Sequence, residues 1–349
     1  MGFLFEYGMF LAKAVTIVIT VVAILIAIIA LSSKQKNKKG ELEVTDLSEQ
    51  IKETKKSIEE QLLSPSQLKS KAKEEKKTLK KEQKKDKKSA KETADIKLEP
   101  QLYVLDFNGS IDAKEVASLR EEITAILSVA TEQDEVFVRL ESGGGMVHAY
   151  GLAASQLQRI KDKNIPLTIS VDKVAASGGY MMACVADKVI AAPFSIIGSV
   201  GVIAQIPNFN KLLKKLDVEF EQLTAGQYKR TLTMFGENDD LGREKFKQEL
   251  EETHQLFKHF VSEHRPQLDI NKIATGEHWY GTQALDLLLV DVIQTSDDYL
   301  LENLDNKHIV QVQYQKSKKF AEKFGKSVAS SVESSLLTLM QTNISRLFK

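Results

Sequence analysis

The strongest constraint on the fold is a regular alternation of short apolar segments with helical segments between residues 101 and 192. The apolar segments are rich in Val, Ile and Leu, and the segments between them carry apolar side chains at helical spacing. Strands that alternate with helices of this length form βαβ crossovers, so we predict an α/β layered sheet. The predicted strands are 103–107, 135–140, 167–171 and 188–192; the predicted helices are 111–129, a segment that ends near Lys161, a short apolar helix from Ser177, a polar helix 244–264 and a shorter helix 278–289.

An apolar run of 18 residues from Ala14 to Leu31 contains no charged residue, no Gly and no Pro. A helix of this length reaches across the ~30 Å hydrocarbon core of a bilayer. The run is longer than the apolar part of a signal peptide, and no small-residue cleavage pattern follows it. We therefore predict an uncleaved membrane anchor within a first domain, residues 1–33.

The next segment, residues 34–100, is polar. Residues 34–99 contain 20 Lys against 14 Asp and Glu, and no aromatic residue. Such a segment cannot bury enough apolar surface to fold alone, so we predict a Lys-rich stalk, either a solvated helix or a flexible spacer. Binding of its lysines to anionic lipid headgroups is the alternative. The whole chain has a net charge of zero, which gives no indication of nucleic-acid binding.

The remainder is predicted to form a main domain, 101–300, and a C-terminal strand and amphipathic helix, 301–349. Apolar side chains between residues 332 and 347 suit an oligomer contact, or alternatively a helix lying on a membrane. The apolar run 191–206 is interrupted by Pro and Gly, so it predicts a buried strand–loop–strand. The single cysteine, Cys184, excludes an internal disulfide and a multi-Cys metal site, and its apolar neighbours predict a core position.

Two glycine-containing segments follow predicted strands. Ser177 lies between a strand and an apolar helix, where helix N-terminal amides and the hydroxyl would face the same space. Such amides stabilise the oxyanion that forms when a serine attacks a carbonyl, although a plain tight turn is the alternative. Ser142–Gly145 could supply a second donor and a docking edge for a peptide, or could be a flexible turn. No Gly-Lys-Ser/Thr follows it, so a phosphate loop is excluded.

The base that would activate Ser177 is not evident from the histidines. Of the six, only His148 lies near a glycine loop, and the spacing of His254, His259 and His264 suits neither a triad nor a zinc site. Lys229 is the other candidate. It would have to be neutral near pH 7, which requires desolvation and costs ~4 kcal/mol. The hydroxyl of Ser199 could orient it.

Three motifs together resemble the signal peptide peptidase A family, peptidase family S49. They are Ala-Ser-Gly-Gly-Tyr at 176–180, Gly-Ser-Val-Gly-Val at 198–202 and Ala-Gly-Gln-Tyr-Lys-Arg at 225–230. The Lys-rich stalk and the stretches at 151–159 and 276–281 look most like a short proteobacterial member. The resemblance covers nearly the whole chain.

The resemblance implies a ClpP/crotonase-like fold and a serine endopeptidase with a Ser–Lys dyad. Ser177 would be the nucleophile, Lys229 the general base, and Ser199 the residue that orients the lysine. Gly144 and the amide of Ser177 would form the oxyanion hole, with Gly143 and Gly178 in support. No metal or cofactor is implied. The implied substrates are membrane-derived peptides such as signal-peptide remnants, and the implied assembly is a homo-oligomeric ring in which neighbouring subunits could complete the dyad.

The sequence departs from the family pattern at Gly143, where the family usually has proline. The loss of proline frees the backbone, so we expect a less preorganised oxyanion loop with activity retained. The implied location is the bacterial inner membrane. The resemblance places the catalytic domain in the periplasm, whereas the lysines that follow Leu31 favour the cytoplasm.

Two rival functions belong to other classes. Acyl-CoA chemistry occurs on the same superfold, but the chain has no recognisable CoA-binding signature. A catalytically silent membrane scaffold would depend on the stalk and the C-terminal helix instead of Ser177.

Overall fold

The computed structural model describes residues 2–32, 40–64, 66–68, 70 and 100–315. The chain divides into two compact units, one of residues 1–41 and 316–349 and the other of residues 42–315. Most of the predicted stalk and the predicted C-terminal amphipathic helix lie outside the described residues.

The first unit contains helix α1, Gly2–Ser32, which includes the whole predicted anchor. The side chains of residues 3–6 and 22–32 lie outside the described part. Within the described part of the chain, no helix combines the length and the apolar composition needed to cross a membrane. The anchor over residues 14–31 therefore stays a prediction.

The second unit is built around a mixed sheet, in which the described strands follow the order β1-β10-β2-β3-β4-β6-β9. A branch leaves this sheet at β3: β5 pairs with β3, β7 pairs with β5, and β8 pairs with β7. The pairing of β7 with β8 is antiparallel, and the pairs from β10 to β9 and from β3 to β7 are parallel. The strands are β1 (Glu41–Asp46), β2 (Gln101–Gly109), β3 (Glu135–Ser142), β4 (Leu167–Val171), β5 (Val174–Ala176), β6 (Lys188–Ala191), β7 (Ile196–Gly198), β8 (His278–Tyr280), β9 (Val292–Ile293) and β10 (His308–Gln315).

Helices cover both faces of this sheet. Successive side chains of a strand point to opposite faces, and the buried side chains of β2 divide accordingly: Leu105 and Phe107 join one apolar cluster, Leu102 and Val104 the other. The larger cluster includes side chains of α3, α4, α5 and α7, and the smaller one includes α10. The helices of this unit are α2 (Leu47–Leu62), α3 (Val116–Leu127), α4 (Val147–Lys161), α5 (Gly178–Ala183), α6 (Asn210–Lys215), α7 (Asp240–His264), α8 (Ile270–Ile273), α9 (Gly281–Asp286) and α10 (Ser296–Asn303).

The structure confirms the predicted α/β sheet and each of the four predicted strands. It also shows the run 191–206 to contain the end of β6, a loop and β7, as predicted. Cys184 is fully buried, and burial raises the pKa of its thiol to about 12. The helix predicted at 278–289 is partly wrong, because His278–Tyr280 pairs with β7 and the helix begins only at Gly281.

The first part of the predicted stalk contributes to the folded unit. Residues Glu41–Leu62 form β1 and α2, and α2 is capped by Asp46, whose side chain accepts a hydrogen bond from the amide of Glu49 at 2.8 Å. The hydroxyl of Ser48 is buried and accepts a hydrogen bond from the amide of Ile309 on β10 at 2.9 Å. The sheet therefore begins within the segment that the sequence assigns to the stalk.

Glu122 on α3 gives a testable pH dependence of stability. Burial, and secondarily the charge of Asp106, raises the pKa of this carboxyl from 4.5 to about 7, although it accepts a hydrogen bond from the amide of Tyr314. The folded state therefore binds this proton more tightly than the unfolded state, so stability falls as pH rises from about 4.5 to about 7. Allowing for solvent screening, we expect a difference of ~1–2 kcal/mol.

The variant Glu122→Gln keeps an acceptor for the Tyr314 amide and removes the titration. Its free energy of unfolding should equal that of the unmodified chain near pH 4 and exceed it above pH 7, by about 1–2 kcal/mol. Urea unfolding at both pH values measures this difference. A difference that does not grow with pH would contradict the assignment.

Candidate active site

Ser177 occupies a strained turn between β5 and α5. Its backbone dihedrals are φ 52° and ψ −118°, a region that residues other than glycine rarely adopt. Such a conformation costs about 1–3 kcal/mol and persists where the surrounding structure enforces it, often at functional sites. A sharp strand-to-helix turn of this kind presents the serine hydroxyl away from the backbone. The local geometry is therefore that expected for a nucleophile.

The hydroxyl of Ser177 is available for chemistry. The side chain is half-buried, and no hydrogen bond within the described residues uses its oxygen. Burial of a hydroxyl without a partner is unfavourable unless the site is open to solvent or substrate. The turn therefore carries a reactive group that contributes nothing to the hydrogen bonding of the fold.

Ser199 lies beside Ser177 because of the parallel pairing of β5 with β7. Ala176, the last residue of β5, is in register with Gly198, the last residue of β7. The two serines directly follow these positions and are therefore neighbours. Ser199 also has a positive φ, 52°, and its amide donates to the carbonyl oxygen of Glu277 at 2.7 Å. The structure thus brings together two of the predicted site residues that are far apart in sequence.

Gly144, in the loop after β3, approaches the Ser177 turn closely. Its φ is +85°, and a methyl group at its Cα would lie 2.6 Å from the amide nitrogen of Gly178 and 2.8 Å from the Cβ of Ser177. Only glycine fits here, on grounds of both backbone conformation and space. The predicted oxyanion loop and the predicted nucleophile are therefore in contact.

The variants Gly144→Ala and Gly143→Ala form a matched pair that tests this contact. Gly144→Ala should lower peptidase activity by ~10²-fold or more and destabilise the fold by about 2–4 kcal/mol, because it combines strain with overpacking. A methyl group at Gly143 would meet nothing within 4 Å, so Gly143→Ala should change both quantities little. Activity assays and thermal unfolding measure the two effects. Equal activity and equal thermal stability of the two variants would contradict the close contact between Gly144 and the Ser177 turn.

The hydrogen bonds of the amides around Ser177 bear on the oxyanion hole that the sequence analysis assigned. The amide of Ser177, assigned there to the oxyanion hole, donates instead to the carbonyl oxygen of Gly198 at 2.8 Å. The amide of Gly144 donates to the Oγ of Ser142 at 3.1 Å. The amide of Gly178, at the first residue of α5, has no acceptor within the described residues and lies next to Gly144.

Tyr150, a residue that sequence reasoning did not identify, lies beneath this site. It is on α4 and fully buried, and its hydroxyl hydrogen-bonds to Ser142 Oγ at 2.5 Å and donates to the carbonyl oxygen of Ser110 at 2.8 Å. Burial raises the pKa of the phenol, which keeps the hydroxyl protonated at neutral pH. The only available signal was an aromatic residue with a polar tip in the first turn of a helix after a glycine loop.

Lys229 forms no hydrogen bond with Ser177 or Ser199 within the described part of one chain. It is exposed, in a segment without regular structure between α6 and α7, and its amide donates to the carbonyl oxygen of Gly226 at 3.1 Å. Its side chain forms no hydrogen bond or ion pair with any other described residue. The desolvation that a lysine base needs is thus not supplied by the described part of one chain.

Other catalytic groups do not stand out near the turn. His148 is exposed on α4 and forms no hydrogen bond with Ser177 among the described residues. Among the residues that the structure describes, no group of three or more His, Cys, Asp and Glu side chains could hold a metal ion.

Two family models match most of this chain. The model of the peptidase family S49 N-terminal region matches residues 2–157, and the model of peptidase family S49 matches residues 159–311. A "Probable protease SohB" of Haemophilus influenzae is 54% identical over 327 residues, which cover 93% of this chain and 93% of that protein. Another "Probable protease SohB", from Buchnera aphidicola subsp. Acyrthosiphon pisum, is 52% identical over 339 residues, covering 97% of this chain and 98% of that protein.

A more distant relative extends the comparison to archaea. "Putative protease MJ0651" of Methanocaldococcus jannaschii is 32% identical over 191 residues, which cover 52% of this chain and 61% of that protein. The two family models together span both the N-terminal helix and the sheet that carries the Ser177 turn. The chain therefore belongs to peptidase family S49.

Proposed function

We propose that this peptidase is a membrane-anchored serine endopeptidase that uses a dyad of Ser177 and Lys229. The observation that carries the proposal is the strained turn at Ser177, whose Cβ lies close to Gly144 and whose hydroxyl has no hydrogen-bond partner in the described residues. A fold with no catalytic task at this turn would gain stability by relaxing the backbone. We also infer that the sheet with its β5–β7–β8 branch is the ClpP/crotonase-like fold.

In the proposed reaction, the Oγ of Ser177 attacks the scissile carbonyl carbon while neutral Lys229 takes the hydroxyl proton. The tetrahedral intermediate collapses, the C–N bond breaks, and the lysine gives the proton to the leaving amine. Lysine then takes a proton from water, which attacks the acyl-enzyme. As the second tetrahedral intermediate collapses, the ester C–O bond breaks and the lysine returns the proton to the Oγ of Ser177, which releases the carboxylic acid product and regenerates Ser177 and neutral Lys229. Each step conserves protons, so no cofactor is needed.

The oxyanion of the intermediate needs donors close to Ser177. The amide of Gly178 is the best candidate, since it has no acceptor in the described residues and a methyl on Gly144 would touch its nitrogen. The amide of Gly144 donates to the Oγ of Ser142 at 3.1 Å, a longer bond than that of the Ser177 amide, and would share its hydrogen between that oxygen and the oxyanion. The residue after the nucleophile supplies the same donor in other serine hydrolases with a strand-to-helix turn. We therefore assign the second donor to Gly178 in place of Ser177.

The proposed base requires desolvation, and a second copy of the chain can supply it. The segment around Lys229 exposes many large apolar side chains; Leu223, for example, is 94% exposed and Ile203 79%. Surfaces of this kind mark association sites. We propose that copies form a ring in which this segment packs on a neighbour, excludes water from Lys229 and brings it to Ser177 and Ser199. The other exposed large apolar residues of the segment are Ile206, Phe209, Leu212, Leu216, Val218, Phe220, Tyr228, Met234 and Phe235.

The proposed substrates are short peptides near the membrane, such as remnants of signal peptides. The apolar run within α1 supports this, because an anchor at residues 14–31 would hold the site close to the bilayer. It would place the chain in the bacterial inner membrane as a single-pass protein.

Profiling on a peptide library tests the proposal. The full chain and Ser177→Ala are incubated with mixed peptides that include signal-peptide sequences, and new termini are identified by mass spectrometry. Internal cleavage that Ser177→Ala lacks is expected. Cleavage by both proteins, or release only of single terminal residues, would contradict a Ser177 endopeptidase.

A further inference from the structure

A directed chain of hydrogen bonds runs beneath the proposed oxyanion site. The hydroxyl of Tyr150 donates to the carbonyl oxygen of Ser110, which can only accept. The phenol oxygen must therefore accept the hydrogen bond that it shares with the hydroxyl of Ser142 at 2.5 Å. Because the proton of Ser142 is used in that bond, its oxygen is free to accept from the amide of Gly144 at 3.1 Å.

The aromatic ring of Tyr150 meets the other proposed donor. Gly178 lies against the Cβ–Cγ end of the Tyr150 side chain, and a methyl group at its Cα would collide with the Cγ, Cβ and Cδ2 atoms. Tyr150 is 0% exposed and Ser142 2% exposed, so neither group exchanges these contacts for water. A single side chain thus supports the Gly144 loop through its hydroxyl and the Gly178 turn through its ring.

We propose that Tyr150, acting with Ser142, is a positioning residue that fixes the spacing between the amides of Gly144 and Gly178. This inference rests on the proposed function, in which both amides bind the oxyanion. Oxyanion donors work within a narrow distance range, and a displacement of about 1 Å can cost on the order of a hundredfold in rate. The loop that carries Gly144 contains glycine at three consecutive positions, 143–145, and glycine backbone can adopt many conformations. The position of this loop therefore depends on contacts with neighbouring side chains.

The variant Tyr150→Phe removes the hydroxyl and keeps the ring. We expect kcat to fall on the order of tenfold with KM close to that of the unmodified chain, because the donors act on the transition state more than on bound peptide. Ser142→Ala should cause a loss of similar size. The double variant should lose no more than either single one, because both changes break the same chain of hydrogen bonds.

A matched control separates positioning from stability. Tyr299 on α10 is also buried, and its hydroxyl donates to Glu135 at 2.6 Å, in the apolar cluster on the opposite face of the sheet. Tyr299→Phe removes a comparable buried hydrogen bond, so it should lower the thermal midpoint as Tyr150→Phe does while leaving kcat unchanged.

The experiment measures kcat, KM and the thermal midpoint of the full chain and of these variants, with Ser177→Ala as reference, on one peptide that the unmodified chain cleaves. Equal kcat values for Tyr150→Phe and Tyr299→Phe would overturn the inference, as would losses that multiply in the double variant or a rise in kcat. If Ser177→Ala is inactive and Tyr150→Phe is unaffected, this inference alone fails. If Ser177→Ala remains active, the proposed function fails and this inference with it.

Discussion

Replacement of Ser177 by alanine should abolish peptide hydrolysis, with a loss of at least ~10³-fold in kcat. The expected loss is large because the hydroxyl forms the covalent intermediate, so nothing else at the turn can substitute for it. The change should leave the fold intact, since alanine keeps the Cβ and no hydrogen bond within the described residues uses the Ser177 oxygen. The measurement is peptide cleavage by the full chain and the variant at matched concentration.

Thermal unfolding of the same two proteins is the control. Their thermal midpoints should agree. The strained backbone of Ser177 is held by the hydrogen bond from its amide to the carbonyl oxygen of Gly198 and by the contact with Gly144, and the variant keeps both. Residual activity of Ser177→Ala near that of the unmodified chain would remove this serine from the mechanism.

Replacement of Lys229 by methionine should lower kcat by about 10²–10⁴-fold, the usual contribution of a general base. Methionine is close to lysine in length but cannot take a proton. The stability of the single chain should not change, because the lysine is exposed and has no side-chain partner in the described residues. Arg230→Met is the matched control: it removes an adjacent exposed positive charge, and its activity should stay near that of the unmodified chain.

The same variant tests whether the dyad forms between copies. Mixing Ser177→Ala with Lys229→Met should restore part of the activity, because an intact Ser177 of one copy would meet an intact Lys229 of its neighbour. Equal losses in Lys229→Met and Arg230→Met would indicate a general charge effect and contradict the role of Lys229 as base. Absence of restoration on mixing, with both single variants inactive, would contradict the shared site.

The local elements of the fold follow well from the sequence. The strand β4 alternates Leu167, Ile169 and Val171 with Thr168 and Ser170, the period-2 pattern of a strand, and all five residues are buried. The helix α7 was predicted at 244–264 and extends over Asp240–His264, where Asp239 caps its first turn. In these elements local propensity and tertiary burial favour the same conformation, so pattern reasoning succeeds.

Elements that depend on distant partners were missed. The strand β8 is three residues long, and it exists because it pairs with β7 some 80 positions earlier. In the same way, β1 and α2 lie in a lysine-rich segment, and the amide of Ile309 on β10 bonds to Ser48 there. Composition describes such segments as polar, but it does not reveal a sheet edge that holds them.

The sequence predicted part of the candidate site. The sequence motifs identified Ser177, Gly144 and Ser199, and the structure places all three together at one end of β3, β5 and β7. The use of the Ser177 amide in the bond to Gly198 could not be predicted, because it depends on the register of β5 against β7. In the proposed ring, the position of Lys229 would depend on contacts with a neighbouring copy, which local patterns do not encode.

The site of covalent modification by a serine-directed phosphonate is the most direct test of the Ser177–Lys229 dyad. The full chain, assembled as purified, is treated with the reagent and digested, and the adduct is located by tandem mass spectrometry. We predict one adduct, on Ser177, formed at least ~10²-fold more slowly in Lys229→Met than in Arg230→Met. An adduct on another residue, or equal labelling rates in the two variants, would contradict the dyad.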